Sequence, residues 1–337
     1  MADGKWKESL LKSSLPLEHA VAELLAKNDW HVWGQYSYSR KNENGLGTDF
    51  SADIHASREY NEEGQCFGNL DVLIECKYAS PGVKWVFLPY PETAQLFSGM
   101  LKVFEQGSNK RITNHKPVNS AEDGVEYCIR GISLHDSGFD ENSINRGAYQ
   151  LRYAMPRIAE RVFSTDASDM HDEDIGVSFA CAVLVTTAPL YCLKPGVTLD
   201  DVFAANSLDD VVEPAERLIL WEEASPDLEE YTRTIYQEVL ENGLEERIRE
   251  YQRAFRPSAN LKHPPNQGQG WWAMREAGSH VLVTTLKGLG DVLSTLDAAA
   301  REAMLGVEKI AEVRFDPEKG KVVISSLAKS GDGASEV

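Results

Sequence analysis

The sequence predicts an α/β fold: a central mixed sheet flanked by helices, then a mainly helical, acidic carboxyl-terminal region ending in a β-hairpin. Three observations carry this expectation. A segment of helical period is followed at once by three strand-like runs. A continuous apolar run beginning at Val177 has the composition of a strand buried on both faces. The net charge of −19 is concentrated beyond residue 165, where 31 acidic side chains stand against 16 basic ones.

The elements follow in order. In PLEHAVAELLAKNDW, Leu17, Val21, Leu24 and Leu25 recur at helical spacing and Pro16 suits a first turn, which predicts a helix over roughly 16–27. HVWGQYSYS, DFSADIHASREY and NLDVLIECKYA read as strands, separated by the polar loops RKNENGLG and NEEGQCFG. ETAQLFSGMLKVFEQ reads as a helix and KRITNHKPVNSAEDG as a surface loop. SINRGAYQLRYAMPRIAERVFS reads as an amphipathic helix that Pro156 should kink or shorten. VSFACAVLVTTAPLYCLK supplies the buried strand, and the core is expected to close near residue 200. Beyond it lie a charged helical stretch over 227–255, a Pro/Gly/Asn-rich linker and the hairpin AEVRFDPEKGKVVISSL. The expected division is therefore a core over 1–200, an acidic accessory region over 201–329 and a disordered tail over 330–337.

Composition bounds the setting. With 337 residues and 42% of them apolar, the chain can bury a sizeable core. No stretch of about 18 uncharged apolar residues exists, so no spanning helix is expected. The opening residues carry no apolar run with a cleavage site, so the reading expects no secretion. Five cysteines, none in C-x-x-C spacing, argue against a disulfide framework and a structural zinc, and point to a reducing cytoplasm.

The chemistry concentrates in LDVLIECKY. On a strand, Asp71, Leu73, Glu75 and Lys77 share one face, and Val72, Ile74 and Cys76 the other. An acid and an ammonium two residues apart on an apolar strand are costly to bury without partners. A divalent cation and a substrate phosphate would partner both. Asp53, in SADIHA on the preceding strand, is a second carboxylate; Asp49 and Asp71 are rivals for its role. Such a set suits a hard ion such as Mg²⁺, which takes a few carboxylate oxygens and keeps several waters.

An acid-bearing helix, an aspartate on one strand and E-x-K on the next resemble the PD-(D/E)XK nuclease superfamily, a restriction-endonuclease-like fold. The likeness spans roughly residues 14–90 and extends loosely to 195. It implies Glu18 as the helix acid, Asp53 as the motif aspartate, and Glu75 and Lys77 as the E-x-K pair. It also implies metal ligation by Asp53, Glu75 and the Cys76 carbonyl, with Mg²⁺ as cofactor and Mn²⁺ able to substitute. No Pro precedes Asp53, as the family name would ask; Ala52 stands there. The activity implied is hydrolysis of DNA to 5′-phosphate and 3′-hydroxyl ends, with RNA the lesser candidate. By analogy the setting is a bacterial restriction or antiviral defence effector. An ATPase or helicase partner would have to be another chain, because no Walker-type loop is present. Self-association is left open.

A second signal lies on the helix near 145–162. Arg146, Gln150, Tyr153, Arg157 and Arg161 share one face, suited to nucleic-acid phosphates or simply to solvent. Exonuclease-like members carry a Gln and a Tyr on such a helix; Gln150 to Tyr153 is one residue short of that spacing. Trp271 and Trp272 are read as core or as a stacking platform, Gly288-Leu289-Gly290 as a turn, and the histidines as packing or surface residues. The acidity of the carboxyl half also allows a different class of function. The chain could be a catalytically silent binding or assembly module that uses its acidic helices to meet a partner protein.

Overall fold

Pro16 falls in a first helical turn, where its missing N–H costs nothing, and opens helix α2 (Leu15–Lys27) after a short exposed helix α1 (Lys5–Lys12). The structure is a computed structural model. It describes residues 5–41, 47–62, 66–91, 102–104, 110–112, 125–168, 177–239, 274–305, 307–309, 311–316 and 321–326. Leu17, Val21 and Leu25 are the buried stripe of α2. Strands β1 (His31–Lys41), β2 (Gly47–Glu62) and β3 (Cys66–Lys77) follow as an antiparallel meander.

Next come β4 (Lys84–Pro89), β5 (Lys102–Phe104), β6 (Lys110–Ile112), β7 (Glu126–His135), β8 (Gly138–Asp140) and helix α3 (Asn142–Ser168). Then β9 (Val177–Thr186), β10 (Leu190–Leu193), a short helix α4 (Leu199–Ala204), β11 (Val212–Ala215) and β12 (Arg217–Trp221) lead to α5 (Pro226–Val239). β13 (His280–Thr285) and α6 (Leu289–Leu305) complete the main body, and Gly288 turns the chain between them. The last strands are β14 (Val307–Lys309), β15 (Ala311–Asp316) and β16 (Lys321–Ser326).

The main sheet is mixed and 12-stranded, in the order β1-β2-β3-β9-β13-β12-β7-β4-β10-β11, with β5 on β9 and β8 on β7. β9 runs parallel to both β3 and β13, so it is central. Its residues alternate between two cores. Ala182 and Leu184 pack with Leu73, Phe87, Leu151 and Ile158 on the α3 side; Cys181, Val183 and Val185 pack with Leu25, Ile74, Leu293 and Leu296 on the other. The result is a large mixed sheet covered by helices on both faces. No helix among the described residues is long and apolar enough to cross a membrane.

Four expectations need correction. The sheet does not end near residue 200, because β12 and β13 lie between β9 and β7 and the later residues share its core. Residues 102–104, expected within a helix, form β5 against β9; residues 110–112, expected in a loop, pair with β14. The remainder of those two segments, and Trp271, Trp272 and 330–337, lie outside the described residues. The charged helix is described only as far as Val239.

Pro156, finally, does not shorten α3, which runs through it as one helix of 27 residues. Burial explains its tolerance. Leu151 through Pro156 are all buried, and Gly278 packs on the Arg152 carbonyl that Pro156 leaves without its helical donor; an added Cβ at Gly278 would lie 2.7 Å from that oxygen. β15 and β16 pair antiparallel, as the closing hairpin expected.

Candidate active site

The site begins with a register step. Between Gly34↔His55 and Tyr36↔Ala52, β2 carries one residue more than β1, a bulge containing Asp53 and Ile54. Bulges bend a strand and re-aim a side chain. The β2–β3 ladder stops at Ile54↔Ile74, and just beyond it Asp53 Oδ2 accepts the Cys76 amide at 2.8 Å. A carboxylate thus takes the position that a strand carbonyl would fill. Asp53 is thereby fixed against the end of β3, beside Glu75.

Glu75 is 1% exposed. Its Oε1 accepts a hydrogen bond from Lys77 Nζ, and its Oε2 is buried with no partner among the described residues. Burial pushes the Glu75 carboxyl up to about 7; the charge of Lys77 opposes this and that of Asp53 adds to it. Burial raises Asp53 as well, against the Cys76 N–H and Lys77, which pull it down. Glu18, in the first turn of α2, is raised by burial and then by Asp53, with Lys77 again opposing. The Asp53 and Glu75 carboxyls and the Lys77 ammonium therefore meet at the end of β3, with Glu18 close enough to feel the charges of Asp53 and Lys77.

Helix α3 adjoins that end of β3. Lys77 Nζ also donates to Gln150 Oε1 at 3.2 Å, and Gln150 Nε2 donates to the Ser51 carbonyl at 3.0 Å. Gly147, one turn earlier, makes the approach possible. A Cβ there would stand 2.7 Å from Leu184 Cδ1 and 3.2 Å from Lys77 Cε. Sequence reasoning passed over Gly147, although a glycine inside a helical pattern is a signal: it costs about 1 kcal/mol against alanine and usually answers to packing.

The rival carboxylates sit elsewhere. Asp71, on the same face of β3, is saturated: His55 Nε2 lies 2.6 Å from Oδ1, Arg161 donates to Oδ1 at 2.7 Å and Asn69 to Oδ2 at 2.8 Å. His55, read as a packing residue, is buried and also hydrogen-bonded to Asp71. Asp49 is exposed towards the far end of β2.

The basic face expected on α3 is largely spent inside the protein, because α5 packs over it with Leu228, Ile235, Tyr236 and Val239. Arg157 pairs with Glu160 at 2.7 Å and Glu238 at 3.0 Å, and Arg161 with Asp71. Tyr153 is buried and donates to Asp227 Oδ2 at 2.5 Å. Of the five residues, Gln150 reaches Lys77, and exposed Arg146 lines a cleft beside it.

Among the described residues, no three or more His, Cys, Asp and Glu side chains gather as a complete metal cage. The donor set here is smaller: Asp53, anchored through one oxygen, and Glu75, with one oxygen unpartnered. That fits an ion such as Mg²⁺, which completes its octahedron with main-chain oxygens, waters and substrate phosphate. Compared with known proteins, the chain matches no family model, no curated protein and no solved structure.

Proposed function

We propose that this protein is a metal-dependent phosphodiesterase acting on DNA, with a restriction-endonuclease-like core formed by α2, β1, β2, β3, α3 and β9. One observation carries the reading: among the described residues the buried carboxylate oxygen Glu75 Oε2 accepts no hydrogen bond, while Lys77 and the half-buried Asp53 carboxyl stand beside it. An unsatisfied buried carboxylate is destabilising and wants an explanation. Its neighbours are those that phosphate chemistry uses. The unmatched comparisons leave this reading to rest on the site alone.

In this reading Asp53 and Glu75 would hold Mg²⁺ or Mn²⁺, and the Cys76 carbonyl would be a further ligand. A divalent cation there supplies charge neutralisation at the phosphate and acidifies water. Lys77 orients the attacking water and stabilises charge on the phosphate as it becomes pentacovalent. Gln150 fixes the Lys77 ammonium through its Oε1, and Asp53 holds its own geometry through the Cys76 amide. Glu18, raised by burial and by Asp53, would trade a proton with water at the site.

The test is supercoiled-plasmid nicking with Mg²⁺, Mn²⁺ or EDTA. Lys77→Ala is expected to lower cleavage by about 10²–10³-fold, the usual loss of a charge-stabilising donor, while the fold persists. Equal nicking by wild type and variant in Mg²⁺ rules the assignment out. So does nicking that is indifferent to EDTA.

A further inference from the structure

Gln150 also lines a cavity of about 490 Å³ that opens to solvent. Its size falls within the roughly 300–1,000 Å³ usual for small-molecule sites. Its lining is unusual for a surface cleft of an acidic protein. Four aromatic rings, Tyr38, Phe50, Tyr149 and Tyr153, share it with two guanidinium groups, Arg40 and Arg146. The walls are already ordered. Tyr38 and Phe50 stack with ring centres 5.8 Å apart, and Tyr38 donates to the Gln150 carbonyl at 2.8 Å. The Arg40 guanidinium lies 4.2 Å from the Tyr153 ring centre and 5.0 Å from that of Phe50. At the mouth, Tyr149 is 45% exposed, and Arg146 is exposed beside it.

We infer that this cleft receives an unpaired nucleotide of a nucleic-acid strand, its base on the exposed Tyr149 ring and its phosphate against Arg40 and Arg146. The inference rests on the phosphodiesterase reading and adds the class of substrate. The exposed Tyr149 ring accepts any base by stacking, and arginines supply both a planar partner and a phosphate contact. Asp227, 3.8 Å from Arg40, partly offsets one of the cations, so affinity comes chiefly from stacking. A paired base cannot enter such a pocket without leaving its duplex, which costs a few kcal/mol. A single strand, or a frayed or flapped end, enters freely. Gln150 lines the cleft and also holds Lys77, so a nucleotide seated there lies one residue from the carboxylate–lysine cluster.

The experiment is fluorescence anisotropy of labelled oligothymidylate and of a blunt duplex, in EDTA so that nothing is cut. Wild type is expected to bind the single strand more tightly than the duplex, and thymidine monophosphate at equal concentration should not displace it. Tyr149→Ala, a change at an exposed position, should raise the Kd for the single strand roughly five- to 150-fold, about 1–3 kcal/mol. Tyr149→Phe, which keeps the ring, should bind like wild type. Several results overturn the inference: no binding, equal affinity for duplex, an indifferent Tyr149→Ala, or displacement by the monophosphate. The two readings fail separately. Cleavage by wild type with an indifferent Tyr149→Ala removes the cleft alone; stacking-dependent binding without metal-dependent cleavage removes the nuclease and leaves the cleft.

Discussion

Replacing Glu75 by glutamine tests the buried carboxylate without any substrate. The wild-type carboxyl has an ordinary value of 4.5 and is pushed up to about 7 in the fold, chiefly by burial. Below about pH 4.5 it is neutral folded and unfolded, and its burial costs nothing extra. Between 4.5 and 7 the folded protein keeps a proton that the unfolded chain releases, so stability falls as pH rises. Above about 7 both states are ionised and the loss is complete. At about 1.36 kcal/mol per pH unit, that interval is worth about 3 kcal/mol. The figure is an upper one, because the partly exposed Lys77 and entering water relax the charge.

Glu75→Gln keeps the shape and removes the titration. Urea unfolding in EDTA at about pH 5, 6, 7 and 8 should therefore show the variant gaining on wild type by up to about 3 kcal/mol across the series. Taking the difference cancels the titrating groups distant from Glu75, while Asp53 and Lys77, which touch it, titrate together with it. Added Mg²⁺ should then raise the wild-type midpoint at pH 8 and leave the variant's where it was, since only a state that binds the ion is stabilised by it. Parallel stability curves for the two proteins would mean that the Glu75 charge is already well compensated. The need for a cation would go with it.

Four other substitutions follow from the packing. Gly147→Ala should cut plasmid nicking at least tenfold with little change in DNA affinity, because its Cβ would press on Leu184 and the Lys77 stem. Gly278→Ala sets a Cβ 2.7 Å from the Arg152 carbonyl and should cost about 1–3 kcal/mol in urea unfolding, with no effect if α3 can shift aside. Asp71→Ala leaves the buried His55 without its hydrogen-bond partner and frees the half-exposed Arg161, and should cost about 1–3 kcal/mol by the same measurement. Gln150→Ala frees the Lys77 ammonium and should lower the cleavage rate more than the KM; an unchanged rate would remove Gln150 from the site.

What the sequence disclosed, and what it hid, follows the range of the interactions involved. Glu75 and Lys77 share a face because strand side chains alternate, and that requires only two residues of spacing. The inward face of α3, Ala148, Leu151, Met155 and Ile158, was legible from helical period for the same reason. The bulge at Asp53 was not. Nothing in SADIHA announces the register step that turns its carboxylate onto the Cys76 amide, since the step depends on how β1 pairs with β2. RLILW and HVLVTT, short apolar runs flanked by charged sequence, gave no hint of their place between β9 and β7. Their partners are parallel or far away along the chain, and periodicity carries no record of partners.

The same distance effect decides the electrostatics. Counted along the chain, the acidic carboxyl half looked like a region apart, repelling phosphate. In the fold its carboxylates answer cations of the amino half: Glu222 pairs with the buried Arg152, Glu238 with Arg157, and Asp227 lies beside Arg40. Glu222, Glu238 and Asp227 thus tie the elements over α3 to cations of the amino half. This pairing subtracts from the basic face that the helical period of α3 suggested. Arg146 and Arg40, at the rim of the aromatic cleft, remain to meet an anion near the carboxylate–lysine cluster. With so few phosphate contacts, log Kd should vary with log salt with a slope near one to two, at about 0.7–0.9 per contact. A slope of six or more would place the nucleic acid on another, far more basic surface.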